Sequence, residues 1–169
     1  MAKGKRILLM FNVNFLKRNM GSAHGVYLPV KILKSLGFDL DLFATSQIDD
    51  FSDFDKYNNE EIIDNLYFVD LKKKKDIFTK LEIISNKIKK ILDSKPKYSQ
   101  NSYISLPVLK KFQDIIKNNH YDFIYVHYIY WVDLFRYSKI PAVTRLIYNM
   151  HDVSFIQHLY NNGVEGLGE

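Results

Sequence analysis

Apolar and polar positions along the chain alternate between two rhythms. "KRILLMFN" (residues 5–12) is a short continuous apolar run, the pattern of a strand buried on both faces. A polar loop, "VNFLKRNMGS", follows it and leads into a stretch with Val26, Val30 and Leu33 on a helical stripe that ends at Gly37. Pro29 inside that stripe predicts a kink or a late start to the helix. "FDLDLFAT" (38–45) sets Phe38, Leu40 and Leu42 against Asp39 and Asp41, a second strand with a more polar face. An acidic connector (49–64) precedes a short third strand, "LYFVDL" (66–71). Ile77, Leu81, Ile84, Ile88 and Ile91 then mark one stripe of a helix over 72–97. A further helix starts near Ser105 with Pro107 in its first turn and Leu109, Phe112 and Ile116 inward. "YDFIYVHY" (121–128) and "TRLIYNM" (144–150) read as strands four and five, with an aromatic helix, "YWVDLFRY", between them.

Strands alternating with helices predict an α/β fold, a doubly wound, Rossmann-like parallel sheet. Right-handed crossovers favour the strand order 3-2-1-4-5, which puts the topological switch between strands one and four. Ligands of such sheets sit at the carboxyl ends of the strands beside the switch. Three segments converge there: the loop after strand one with Asn14 and His24, the end of strand four with His127, Tyr128 and Trp131, and the end of strand five with His151 and Asp152.

Composition narrows the class. The 169 residues suit one domain with a single core, and 47% apolar with 25% charged residues is a globular balance. The chain has no cysteine, which excludes disulfides and thiolate zinc sites and makes a reducing cytoplasm the expected location. Asn12 and Asn14 interrupt the apolar N-terminal run, so it is not a secretory signal. The net charge of +5 is uneven: ten lysines within 72–97 face only Asp76, Glu82 and Asp93. That helix is either a solvated face or a patch for an anionic membrane surface. Its lysines are not interleaved with aromatic residues or arginines, and no nucleic-acid motif accompanies them, so nucleic acid is not an expected partner.

Motif chemistry is sparse. No G-x-G-x-x-G follows strand one and no P-loop occurs, so dinucleotide and P-loop readings are weak. Gly21, in "NMGSAHG", and Ser22 beside it stand where backbone N–H groups at a helix start can approach a phosphate or sugar. The same residues also suit an ordinary turn. Two D-x-D triplets, at Asp39/Asp41 and Asp53/Asp55, lie on a strand face and in a solvated connector, and the histidine spacings match no zinc motif, so no metal is expected. A histidine at a switch-side strand end suits acid/base or charge-stabilising work, while Asp152 is equally placed to cap a helix. Tyr128, Tyr130 and Trp131 can stack on a sugar or pack in the core.

"KRILLMFN…RNMGSAHGVYLPVKILKSLGFDLDLFAT" resembles the opening of the GT-B glycosyltransferases, the large retaining group that uses nucleotide sugars. "HYDFIYVHYIYWVDLF" with "PAVTRLIYNMHDVSF" resembles that family's later elements, in which strand five ends at a histidine facing the sugar. The resemblance implies that Gly21 borders donor phosphate and acceptor, that His151 contacts the transferred sugar and that Asp152 supports it. Met20 departs from the family, which usually has a second glycine there. The family's donor pocket, with its E-x7-E carboxylate pair, belongs to a second domain, so residues 1–169 are expected to be an N-terminal, acceptor-side fragment that is inactive alone. The implied reaction passes a sugar from a nucleotide-sugar co-substrate to a glycan or lipid-linked acceptor, with no cofactor, at the inner face of the membrane. The alternative expectation is a non-catalytic module that binds a phosphorylated or anionic partner.

Overall fold

A computed structural model describes residues 4–19, 21–46, 48–71, 104–127 and 131–149, with Ser22 and Asp133 described in backbone only. Its five strands are β1 (Arg6–Met10), β2 (Asp39–Thr45), β3 (Asn65–Val69), β4 (Phe123–His127) and β5 (Arg145–Asn149). All pair in parallel in the order β3-β2-β1-β4-β5, the doubly wound arrangement that alternation of strand and helix predicts. Leu9 lies between Leu42 on one side and Tyr125 on the other, so β1 is the centre of the sheet. The lysine-rich helix over 72–97 lies outside the described residues.

Two layers of core follow from the period-two alternation of side chains. Ile7, Leu9 and Phe11 with Leu40, Leu42 and Ala44 pack under helix α1 (Gly21–Ser35), through Ala23, Val26 and Val30. Leu8, Met10, Phe43, Ile124 and Val126 form the opposite face, covered by helix α3 (Leu106–Asn118) through Val108, Phe112 and Ile115. Between β2 and β3 a single turn, α2 (Phe54–Tyr57), adds Phe54 to the α1 layer. Helix α4 (Val132–Arg136) adds Leu134 to the α3 layer.

Local details differ from the sequence pattern in two places. Helix α1 begins at Gly21 and runs through Pro29 to Ser35. Pro29 lacks the N–H that would reach Gly25 four residues back, but both residues are exposed, so water can take the freed carbonyl. Gly37 then ends the helix with φ +83, a left-handed conformation that glycine adopts without a Cβ penalty. The second departure is β2. Asp39 is exposed, but Asp41 is fully buried and makes β2 a two-sided core strand. Its carboxylate receives Arg6 Nη2 at 2.7 Å, Tyr121 Oη at 2.6 Å and Asn65 Nδ2 at 2.8 Å. A buried carboxylate survives when its lone pairs are filled in this way. Alternation alone reads Asp41 as a solvent-facing position because it carries no information about partners remote in sequence.

Candidate switch-side site

The site is built where β1 and β4 diverge. Phe11 and Asn12 leave the end of β1, and both are buried. Asn12 Oδ1 accepts from the backbone N–H and the hydroxyl of Thr45, each at 3.0 Å, which fastens the start of the loop to the end of β2. At the end of β4, His127 is buried on the α1 face, 4.9 Å from the Phe11 ring and 4.8 Å from the Tyr125 ring between centroids. Tyr125 Oη in turn accepts from Asn149 Nδ2 of β5 at 2.8 Å. An aromatic and polar seam thus runs across the carboxyl ends of β1, β4 and β5.

Asn14 is the residue that packing does not account for. It is 0% exposed, yet among the described residues neither its Nδ2 nor its Oδ1 has a hydrogen-bond partner. It stands at the start of a 3-10 turn (Phe15–Lys17) but makes no side-chain cap to it. Its backbone is engaged at both ends: the N–H donates to Asp49 Oδ2 at 2.9 Å and the carbonyl accepts from the Lys17 N–H at 3.1 Å. The same carboxylate receives Lys17 Nζ at 3.1 Å, and Lys17 also reaches the carbonyl of Asp50 at 2.9 Å. The acidic connector therefore clamps the β1–α1 loop. Nothing in the sequence singles out Asp49, because a run of like charges has the pattern of solvated surface.

Arg18 closes the turn in the left-handed region, φ 51, and sets its guanidinium 4.7 Å from the centroid of the Tyr27 ring. Tyr27 Oη donates to Glu60, which also pairs with Lys31. In this exposed pair the hydrogen bond to Lys31 holds the Glu60 pKa below its ordinary value, and the bond to Glu60 holds that of Lys31 above.

The remaining expected site residues divide. Gly21 opens α1 and is exposed, and a Cβ there would meet nothing within 4 Å, so the space beside the helix start is open. Ser22 lies in the same first turn, and His24 is exposed one position beyond the buried Ala23. No acidic residue occupies that turn to offset the positive helix end. Trp131 sits elsewhere: it is 1% exposed and packs against Phe43 at 5.5 Å in the α3 layer. His127 and Trp131 thus pack on opposite faces of the sheet. Tyr128, His151 and Asp152 lie outside the described residues.

Among the described residues, no group of three or more His, Cys, Asp or Glu is placed to hold a metal ion. No described helix is long and apolar enough to cross a membrane. Comparison with protein-family models, with curated proteins and with solved structures finds no match to this chain.

Proposed function

We propose that this chain is the acceptor-binding half of a GT-B glycosyltransferase, which moves a sugar from a nucleotide-sugar donor to a glycan or lipid-linked acceptor. The observation that carries the reading is Asn14, a buried amide in the loop beside the switch whose two polar atoms have no partner among the described residues. An unmade hydrogen bond on a buried polar group costs about 1–3 kcal/mol, so a site that keeps one has a use for it. Sugar hydroxyls both donate and accept, so one hydroxyl pair satisfies both ends of the amide. A small shift of the Asp49-clamped turn opens Asn14 to such a ligand.

In this reading His127 and the neighbouring aromatic rings form the wall behind the acceptor. The open helix start at Gly21 and Ser22 receives a phosphate, which backbone N–H groups and the helix dipole favour. His151 and Asp152 take the transferred sugar and its support, as the resemblance implies. The donor pocket belongs to a second α/β domain.

The test is a titration of the isotopically labelled chain with a panel of oligosaccharides and polyprenyl-phosphate-linked sugars, followed by NMR. The side-chain amide resonances of Asn14 and the ring resonances of His127 are expected to move together, and Asn14→Leu to abolish the response. Shifts that leave both residues untouched, or that persist in Asn14→Leu, refute the assignment. Free nucleotide sugars are expected to bind this chain no tighter than millimolar, and micromolar calorimetric binding contradicts the division of labour.

A further inference from the structure

Helix α1 has two apolar faces. Ala23, Val26 and Val30 cover the sheet, while Leu28, Ile32 and Leu36 on the other side are 60%, 57% and 68% exposed. The Leu36 N–H still reaches the Ile32 carbonyl at 3.0 Å, so the last turn keeps all three on one stripe. Gly21 and Gly25 extend that stripe toward the start of the helix. Leu28, Ile32 and Leu36 belong to neither core layer of the described residues. The segment 72–103 leaves from Leu71 and returns at Ile104, and both of these pack on the α3 layer, across the sheet from α1.

Charge narrows what this stripe can receive. None of its residues is charged, and Ser35 at its margin turns its hydroxyl back to the Ile32 carbonyl at 2.8 Å. The two lysines of α1, Lys31 and Lys34, are drawn aside by Glu60 and Asp64. Lysines neutralised in this way give an anionic lipid surface little to attract. A neutral apolar stripe suits another protein surface instead.

Shape then selects the occupant. A Cβ at Gly21 or Gly25 would meet nothing within 4 Å, so each glycine leaves a hollow along the ridge. An antiparallel pair of α1 helices, with a two-fold axis between Leu28 and Pro29, brings ridge and hollow together. Ile32 of each copy faces Gly25 of the other, Leu36 faces Gly21, and Leu28 faces the flat ring of Pro29. No charges are opposed along the seam, and small residues at the contact let the two helices approach closely.

We propose that two copies of this chain associate through the outer face of α1, helix against helix, in this antiparallel and isologous register. One helix from each copy falls short of the roughly 1,200 Å² that stable complexes bury, so the dimer is weak and reversible. N–H groups of a first turn point along the helix axis and not sideways, so the contact leaves the helix start open. The pairing is therefore independent of the ligand assigned to the switch.

Sedimentation velocity of the 169-residue chain is expected to show a monomer–dimer equilibrium at sub-millimolar concentration. Ile32→Lys is expected to shift it to monomer, and Val143→Lys, equally exposed elsewhere, to leave it alone. Gly25→Leu is the sharper variant. It adds apolar area to the stripe but fills the hollow, so it too is expected to give monomer, whereas indiscriminate apolar sticking would strengthen. Circular dichroism checks that all three variants fold. The chain has no cysteine, so a single introduced thiol reports the contact without interference. Leu28→Cys, beside the two-fold axis, is expected to react quickly with a maleimide in dilute solution and to cross-link to a dimer when concentrated and oxidised. A chain that stays monomeric at sub-millimolar concentration overturns the proposal, as does a dimer that survives Ile32→Lys or is strengthened by Gly25→Leu. Slow labelling of Leu28→Cys in the dilute monomer also overturns it, since the chain's own residues would then cover the stripe. So does flotation with neutral phosphatidylcholine vesicles that Ile32→Lys abolishes, which would give the stripe to lipid.

Discussion

Two buried polar residues of similar size have opposite energetics. Asp41 is held by Arg6, Tyr121 and Asn65, so removing it leaves three groups without their shared acceptor. Breaking a buried ion pair from one side costs about 3 kcal/mol or more. Asp41→Ala is expected to lose that much in chemical denaturation, and an unchanged midpoint would show the network to be dispensable. Tyr121 gives the cluster a pH dependence. Burial, followed by its hydrogen bond to Asp41, pushes the phenol pKa far above the ordinary 10.0. The folded state therefore keeps a proton that the unfolded state loses, so this stabilisation is complete below about pH 10 and is lost as pH rises beyond it. Tyr121→Phe should flatten the alkaline decline in stability, measured by urea titration above pH 10 relative to pH 8. Burial alone raises the Tyr148 pKa, so some slope should remain. Asn14 is the reverse case. Replacing an unpaired buried amide with leucine removes a desolvation penalty and is expected to raise stability by about 1–2 kcal/mol while ligand binding is lost. Lower stability in Asn14→Leu would mean that the amide is structural.

At the scale of elements, α1 carries the clearest compromise between stability and local sequence. Gly25 sits mid-helix and exposed, and a Cβ there would meet nothing within 4 Å. Gly25→Ala should therefore gain about 0.5–1 kcal/mol in thermal or urea unfolding, from reduced backbone entropy in the unfolded chain. Gly37→Ala should lose about 1 kcal/mol, because alanine is strained at φ +83. Equal effects at the two glycines would contradict the helix boundary. These elements also show what a reader of the bare sequence can recover. The five strands and their order were legible because continuous apolar runs separated by helical stripes admit few right-handed windings. The burial of Asp41 was not, because its partners Arg6 and Tyr121 lie 35 and 80 residues away. Trp131 was legible only as an aromatic near a strand end, and its place against Phe43 emerges only from packing. Asn14 was legible by position, as part of the loop beside the switch, while its unpaired amide emerges only from packing.

For the whole molecule, strand order predicts how stability is spread. The central strand β1 is hydrogen-bonded on both sides and its residues Leu8, Leu9 and Met10 are almost wholly buried, so its amides can exchange with solvent only when the sheet comes apart. Among the described residues the edge strand β5 is bonded to β4 alone, and its middle residues are more than a third exposed. Opening it removes one ladder and little core. Native-state hydrogen exchange at low protein concentration should rank β1 slowest, β2 and β4 next, and β5 fastest, with the protection of Leu9 approaching the free energy of global unfolding. The switch loop adds a finer test. It is held by the Asp49 carboxylate, which receives both the Asn14 N–H and the Lys17 ammonium. Asp49→Asn keeps an acceptor but gives up the charge, so the loop should open more often while the sheet is unaffected. The expected result is faster exchange at Asn14 and Lys17 with unchanged exchange at Leu9. Uniform acceleration at all three would mean that the connector supports the whole fold, and no change at any of them would mean that the clamp does not hold the loop.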